Sequence, residues 1–229
     1  MYCLCYYNAG DKMFDILFED KHIIAVKKPV GMLSEESDSS ESLPAALKNA
    51  VNSDIFTLHR LDKPVGGVIL YAKTKKAAAD FSQLISENKL KKTYLAVVEG
   101  VPAEKEGRME DLLFKDSRKN KTFVVKRMRK GVKPASLKYK VIATENNLSL
   151  VEIELETGRS HQIRVQFASR KHPLCGDGKY GSRDNRCSVA LFSYKTDFIH
   201  PETKEELCIT ALPDYNEYPW SLFRTESKM

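Results

Sequence analysis

The chain has 229 residues, 42% hydrophobic and 30% charged, a composition typical of a globular protein large enough to bury a core. No run approaches the roughly 20 apolar residues that span a bilayer, and the first residues lack a basic leader, so we expect no membrane segment and a cytoplasmic location. Five cysteines, an odd number without a C-x-x-C pair, argue against a disulfide framework or a four-ligand zinc site.

The hydrophobic pattern predicts mainly strands, beginning with "DILFED" and "HIIAVKKP". A helix in "SLPAALKNA" should be capped by Ser42 and one in "KKAAADFSQLISEN" by Thr74, with a buried strand, "GGVILYAK", between them. Further strands are predicted in "TYLAVVEG", "MEDLLFKD", "KTFVVKRM", "ASLKYKVIATE" and "LSLVEIELE", the last two as a hairpin. A short helix in "SHQIRVQFASR", capped by Ser160, precedes strands in "CSVALFSYKTDFIHP" and "EELCIT".

This order of elements predicts an α+β fold, a single domain with a large mixed, mostly antiparallel β-sheet flanked by helices. We expect residues 14–229 to form that domain and residues 1–13 to be an N-terminal extension. The sequence contains no internal repeat and no long linker that would suggest another division of the chain.

Positive charge is concentrated in one segment, although Lys and Arg exceed Asp and Glu only by 37 to 31 over the whole chain. Between residues 115 and 133 nine basic residues accompany one acid, a net charge of +8. Such a run is commonly a solvated loop or strand face, but this density also favours a polyanion such as nucleic acid. We predict nucleic-acid contacts for Lys126, Arg127, Arg129 and Lys130.

Three polar residues are candidates for a catalytic site. Asp62 in "LHRLDKPVGGVILYAKT" stands on a loop that enters an apolar strand, where a carboxylate is costly unless a cation meets it; it could also simply form a turn. Arg164 lies between Ile163 and Val165, which favours burial against a carboxylate, with an exposed helix arginine as the alternative. Tyr94 in "KKTYLAVVEG" fits either a core tyrosine or a site residue.

Two other patterns do not support a function. "GDGKYG" satisfies G-x-G-x-x-G, but it has neither a preceding long strand nor a βαβ frame, so we do not predict dinucleotide binding. His59, Asp62, His161 and His172 lack the spacing of a zinc site, so we predict no metal.

Four segments, in this order and with these gaps, resemble the RluA-type pseudouridine synthases: "HRLDKPVGGVILYAKT", "KKTYLAVVEG", "TGRSHQIRVQFA" and "HPLCGDGKYG". The resemblance runs from about residue 14 to about residue 212. It implies the pseudouridine synthase fold with a central RNA-binding cleft, isomerisation of uridine in ribosomal RNA, transfer RNA or both, and no metal or organic cofactor. The chain resembles the shorter members that lack a separate RNA-binding domain, and we expect a monomer.

The resemblance also implies roles for individual residues. Asp62 matches the aspartate that acts as nucleophile, Tyr94 the tyrosine beneath the uracil, and Arg164 the arginine that pairs with the aspartate. Arg60 matches the arginine that fills the space left by the flipped nucleotide. Further RNA contacts are expected from His59, Arg159 and His161.

Two departures from the family pattern leave specificity open, namely Val65–Gly66 and Gln166, where many relatives have hydroxyl residues and a histidine. One alternative is a non-catalytic RNA-binding protein on the same domain, although phosphate binding alone would need none of Asp62, Tyr94 and Arg164. Another is a metal-dependent hydrolase acting on RNA.

Overall fold

The computed structural model describes residues 5–9, 12–37 and 42–228. Twelve strands lie in these ranges: β1 Cys5–Ala9, β2 Lys12–Glu19, β3 Ile23–Lys28, β4 Phe56–Thr57, β5 Gly66–Ala72, β6 Lys91–Glu99, β7 Glu106–Asp116, β8 Lys121–Val125, β9 Val132–Glu145, β10 Leu148–Leu155, β11 Leu191–Ile199 and β12 Glu206–Thr210. The α-helices are α1 Leu43–Val51, α2 Lys75–Ser86 and α3 Gln162–Ser169, and 3-10 helices span Gly178–Tyr180 and Trp220–Lys228. None of the helices in the described part is long and apolar enough to cross a membrane.

The chain divides into two compact units, the first formed by Met1–Lys92 and Phe192–Pro213. Its strands follow the order β1-β2-β3-β5-β11, with β4 paired to β5 and β12 to β11. The pairs are antiparallel except for β5 with β11, which is parallel. Helix α2 contributes Phe81 to a core with Val68, Leu70 and Phe198, and the two phenyl rings meet edge to face at 5.2 Å.

The second unit comprises Thr93–Leu191 and Asp214–Met229. Its strands follow the order β6-β10-β9-β7-β8, and the pairs β10–β9, β9–β7 and β7–β8 are antiparallel. Helix α3 is buried from Gln162 to Phe167, so it lies inside the unit rather than on its surface. Val165 packs with Leu113 and Ala135 of the sheet.

The predicted α+β class with a mixed, mostly antiparallel sheet is confirmed, as are the β9–β10 hairpin and the caps of α1 and α2. Strands β1 and β4 were not predicted, and β2 begins at Lys12, ahead of the expected boundary at residue 14. The assignment of residues 14–229 as the catalytic domain stays a prediction.

The predicted Ser160 cap of α3 is wrong. The residue that precedes this helix is His161, in the left-handed region with φ 53° and ψ 25°, and its side chain makes no capping hydrogen bond. The turn is instead held by the Gln162 side-chain oxygen, which accepts the Arg159 N–H at 3.0 Å. The side chain of the first helical residue therefore holds the turn that leads into α3.

The second glycine after the Asp62 loop, Gly67, is required by close packing between strands. Gly67 has a φ of +112°, and a Cβ there would lie 2.2 Å from the Ser193 carbonyl oxygen and 2.6 Å from its nitrogen. Ser193 is its partner in the parallel β5–β11 ladder. No other residue fits without separating the two strands.

We predict that Gly67→Ala lowers the free energy of unfolding by about 3 kcal/mol or more, because it combines a backbone clash with a positive φ. Urea denaturation measures this change. Gly178→Ala is the matched control, since a Cβ there meets nothing within 4 Å. An unchanged midpoint for Gly67→Ala would contradict the packing described for β5 and β11.

Candidate active site

Asp62 lies on the loop between β4 and β5, where its side chain is half-buried. Its carbonyl accepts the Val65 N–H at 2.9 Å, which closes a turn over Lys63 and Pro64. The turn-forming role considered from the sequence is therefore real, but it belongs to the Asp62 backbone.

The neighbouring residue Leu61 is fixed by a buried serine. Ser34 Oγ accepts the Leu61 N–H at 3.1 Å and donates to the Leu61 carbonyl at 2.8 Å, so one hydroxyl satisfies both backbone groups. Ser34 is itself held by the fully buried Tyr71, whose hydroxyl donates to the Ser34 carbonyl at 3.1 Å. The backbone next to Asp62 is thus tied to strand β5.

A buried lysine ties the other side of the loop. Lys28, only 1% exposed, donates from Nζ to the carbonyls of Met32 at 2.7 Å, Pro29 at 3.1 Å and Lys63 at 3.3 Å. The Lys63 carbonyl also accepts the Gly31 N–H at 2.8 Å. Burial of an ammonium group is tolerable only when its protons are bonded, and here they join two loops.

His59 occupies a structural position. Its Nε2 accepts the Leu70 N–H of β5 at 3.2 Å. Burial, and then the nearby Lys92 cation, lower the pKa of His59 from 6.5 to about 3. The ring is therefore neutral near pH 7 and contributes no positive charge toward RNA.

Arg60 is more than half exposed, and its Nη1 lies 2.7 Å from Oε1 of the equally exposed Glu35. An exposed ion pair of this kind contributes at most about 1 kcal/mol, so a ligand phosphate or base could displace Glu35 at little cost. The Arg60 guanidinium is thus accessible from solvent.

In the second unit, Arg164 projects from α3 and is 5% exposed. It forms a bidentate ion pair with Asp177, with Nε 2.6 Å from Oδ2 and Nη2 2.7 Å from Oδ1. Asp177 is 1% exposed. Burial of Arg164 against a carboxylate is confirmed, and the alternative of an exposed helix arginine is wrong.

Tyr180 completes the surroundings of Arg164. The guanidinium carbon lies 5.2 Å from the centre of the Tyr180 ring, within range of a cation–π interaction. The Tyr180 hydroxyl accepts the Thr122 N–H at 2.8 Å and lies 2.8 Å from His161 Nδ1. His161, Tyr180 and Asp177 together orient the arginine.

The loop that carries Arg159 is held by Gln162. The Gln162 amide nitrogen donates to the Ser136 carbonyl at 3.0 Å, and its oxygen accepts from the Thr157 hydroxyl at 2.8 Å and the Arg159 N–H. The Arg159 side chain donates from Nε to the Pro134 carbonyl at 3.0 Å. Arg159 is therefore attached to strand β9.

Tyr94 lies in β6 and is 6% exposed. Its burial agrees with the core tyrosine considered from the sequence and equally with a ring held rigidly in a site. Its predicted place beneath the substrate base stays a prediction.

The basic segment, residues 115–133, runs from the end of β7 through β8 to the start of β9. Lys126, Arg127, Arg129 and Lys130 are all exposed in the connection between β8 and β9. Arg129 stacks over Phe114 with its guanidinium carbon 4.9 Å from the ring centre. The charge is thus presented to solvent, as either a solvated strand face or an RNA surface requires.

The predicted residues are divided between the two units. Asp62, Arg60 and His59 belong to the first, and Tyr94, Arg159, His161, Arg164 and the basic segment to the second. The predicted ion pair of Asp62 with Arg164 stays a prediction. Among the side chains that the structure describes, no three His, Cys, Asp or Glu residues are grouped so that they could hold a metal ion.

The sequence analysis did not predict three residues that hold the candidate site, namely Lys28, Ser34 and Asp177. Asp177 carried the clearest signal, because an acid between two glycines in "CGDGKYG" was the natural partner for an arginine already predicted to be buried against a carboxylate. Lys28 and Ser34 gave no comparable signal, since their partners are backbone carbonyls and N–H groups.

A family model described as RNA pseudouridylate synthase matches residues 22–169. An uncharacterised RNA pseudouridine synthase of Bacillus subtilis (strain 168), YhcT, is 36% identical over 87% of this chain and 68% of its own length. The tRNA pseudouridine synthase C of Haemophilus ducreyi is 32% identical over 90% of this chain and 96% of its own length.

The fold is also that of solved structures. Human RNA pseudouridylate synthase domain containing 4 superimposes with a TM-score of 0.73 over 92% of each chain, at 22% identity. The matched segment covers more than half of the chain and includes Asp62, Tyr94 and Arg164. This chain therefore belongs to the RNA pseudouridylate synthase family, the enzymes that isomerise uridine in RNA.

Proposed function

We propose that this protein converts specific uridines of transfer RNA, ribosomal RNA or both to pseudouridine, with Asp62 as the catalytic aspartate. The observation that carries the proposal is the placement of Asp62 in the segment that matches the family, on a loop held from both sides by buried groups. Transfer RNA is favoured as one substrate because a relative 32% identical over 90% of this chain is a tRNA pseudouridine synthase.

The reaction is an isomerisation that breaks the C1′–N1 bond, rotates the uracil and joins C1′ to C5, after which C5 loses its proton and N1 gains one. Every heavy atom of the product comes from the uridine. Asp62 either attacks C1′ and displaces the uracil or removes a ribose proton to give a glycal. Both routes require a carboxylate fixed within a fraction of an ångström, which is what the anchored loop supplies.

Arg164 and Tyr94 assist the aspartate in this proposal. The Asp62 carboxylate would pair with the Arg164 guanidinium, which Asp177 and Tyr180 already hold in one orientation. The Tyr94 ring would stack against the uracil and help remove the C5 proton. Arg164 can serve a second carboxylate because guanidinium has five N–H donors and the Asp177 pair uses only two.

RNA is bound by the exposed cations. A uridine inside folded RNA must be extruded first, at a cost of a few kcal/mol, and Arg60 would fill the space that it leaves. The basic segment and Arg159 would contact phosphates. His59 and His161 would line the site with rings that hydrogen bonds hold in place. We further expect a monomer in the cytoplasm that works without metal.

We predict that Asp62→Asn abolishes pseudouridine formation, lowering the rate at least about a thousandfold, because the amide can neither attack nor accept a proton. The assay incubates purified protein, in chelator, with unmodified transfer and ribosomal RNA and maps pseudouridine. Asp54→Asn, a change at an exposed acid of the same unit, should retain activity.

Other outcomes of this assay have defined meanings. RNA binding without conversion by the wild-type protein would favour a non-catalytic RNA-binding protein. RNA cleavage restored by divalent metal would favour a hydrolase. Conversion of ribosomal RNA alone would refute transfer RNA as a substrate while leaving the role of Asp62 intact.

We predict that Ser34→Ala lowers kcat by about 10- to 100-fold with little change in KM, because the Leu61 N–H and carbonyl lose their partner and the neighbouring carboxylate is misplaced. Steady-state kinetics well below the unfolding temperature separate this effect from stability. Ser82→Ala, which removes an exposed hydroxyl bond in α2, is the control. Unchanged kcat would show that Ser34 does not position the loop.

We predict that replacing Lys126, Arg127, Arg129 and Lys130 by Gln weakens RNA binding and flattens its salt dependence, by about 0.7 to 0.9 units of log–log slope for each phosphate that the protein no longer neutralises. Binding to a tRNA transcript at several salt concentrations measures the slope. Replacing the exposed lysines Lys21, Lys75, Lys89 and Lys204 of the first unit removes the same charge elsewhere. An equal slope for both variants would place the segment outside the RNA path.

A further inference from the structure

Two of the five cysteines lie side by side in the second unit, although nothing in their spacing suggested it. Cys175 and Cys187 are twelve residues apart in sequence, and their Sγ atoms are 3.6 Å apart. Cys175 is buried and Cys187 is partly exposed. We propose that Cys175 and Cys187 form a redox-active dithiol, which a hydroperoxide converts to an intramolecular disulfide.

The two chain segments that carry the thiols pack directly against each other. A Cβ on Gly176 would lie 2.6 Å from the Cys187 carbonyl oxygen and 2.3 Å from that of Ser188, so the two chain segments are in direct contact. The backbone carbonyl of Cys175 also accepts the Ala190 N–H at 2.9 Å. To form a disulfide, the two Sγ atoms must approach from 3.6 Å to the S–S bond length of about 2.05 Å, which we expect side-chain rotation to allow.

The polar groups around the pair give the two thiols different roles. The hydrogen bond from Cys175, and the Arg186 guanidinium, lower the pKa of Cys187, while the same hydrogen bond and burial raise the pKa of Cys175. Asp184 Oδ2 lies 3.5 Å from Cys175 Sγ and is neutralised by a bidentate pair with Arg186. Tyr218 donates to the same carboxylate at 2.5 Å. Cys187 is thus the accessible nucleophile and Cys175 the resolving thiol.

The chemistry balances with hydrogen peroxide as the oxidant. The Cys187 thiolate attacks one peroxide oxygen and, with a proton, gives a sulfenic acid and water. The Cys175 thiol then attacks the Cys187 sulfur, forms the S–S bond and releases a second water. The two thiols are oxidised by two electrons in total, and a small dithiol reverses the step by thiol–disulfide exchange.

The disulfide would act on the segment that holds Arg164. Cys175 lies two residues before Asp177, which forms the bidentate ion pair with Arg164. The Gly176 N–H donates to Ser182 Oγ at 3.1 Å, so residues 175–177 and the loop that leads to Cys187 already contact each other. Oxidation would join them covalently and close the loop from residue 175 to residue 187.

The test uses the full-length protein, reduced, freed of reductant and exposed to dilute hydrogen peroxide. Non-reducing tryptic mapping should show peptide 172–179 linked to peptide 187–195, with intact mass lower by about 2 Da and two of the five thiols no longer titratable. Dithiothreitol should restore both peptides, and the oxidised protein should unfold several degrees higher than the reduced one.

Single variants test the order of events. Cys175→Ser should leave Cys187 as a sulfenic acid that dimedone traps, Cys187→Ser should give no linked peptide, and Cys208→Ser, at an exposed cysteine of the first unit, should still form the disulfide. Absence of the linked peptide from oxidised wild-type protein would overturn the proposal. Dimedone labelling of Cys175 in the Cys187→Ser protein, without labelling of Cys187 in the Cys175→Ser protein, would reverse the assigned roles. This result does not depend on isomerase activity.

Discussion

The bidentate pair of Arg164 with Asp177 is the interaction on which the second unit depends. Both side chains are at least 95% buried, with exposed fractions of 5% and 1%. Breaking such a pair by removing one partner costs about 3 to 5 kcal/mol, because the remaining charge is left without compensation. The cost explains why α3, the loop after it and the Gly178–Tyr180 turn must fold together. The pair also presents the remaining N–H groups of the guanidinium in a fixed direction.

In the first unit, the loop that carries Asp62 is held in place mainly by hydrogen bonds to backbone groups. The Asp62 carboxylate itself is half-buried, while the residues beside it are held by Ser34 and Lys28 through carbonyls and N–H groups. Anchoring the chain on either side limits the movement of the Asp62 carboxylate.

Sequence reasoning succeeded where a local pattern determines structure. The cap at Thr74, the hairpin of β9 and β10 and the apolar strand β5 follow from residue types within a few positions, and the burial of Arg164 follows from its apolar neighbours. It failed where a distant group intervenes. The residue before α3 is His161, in a left-handed conformation, instead of a capping Ser160, and Gln162 holds the turn through Thr157 and the distant Ser136.

The family resemblance and the structure supply different information about the site. The resemblance implies roles for Asp62, Tyr94 and Arg164 from their positions in motifs, but assigns none to the side chains that orient them. The structure supplies those partners: Asp177 and Tyr180 for Arg164, and Ser34 for the backbone beside Asp62. Most of these partners act through buried polar contacts, whose loss is costly at any position in a protein. Asp177 and Tyr180 lie in one of the family motifs, but their contacts, like those of Ser34, follow only from the folded chain, because they join residues that are distant in sequence.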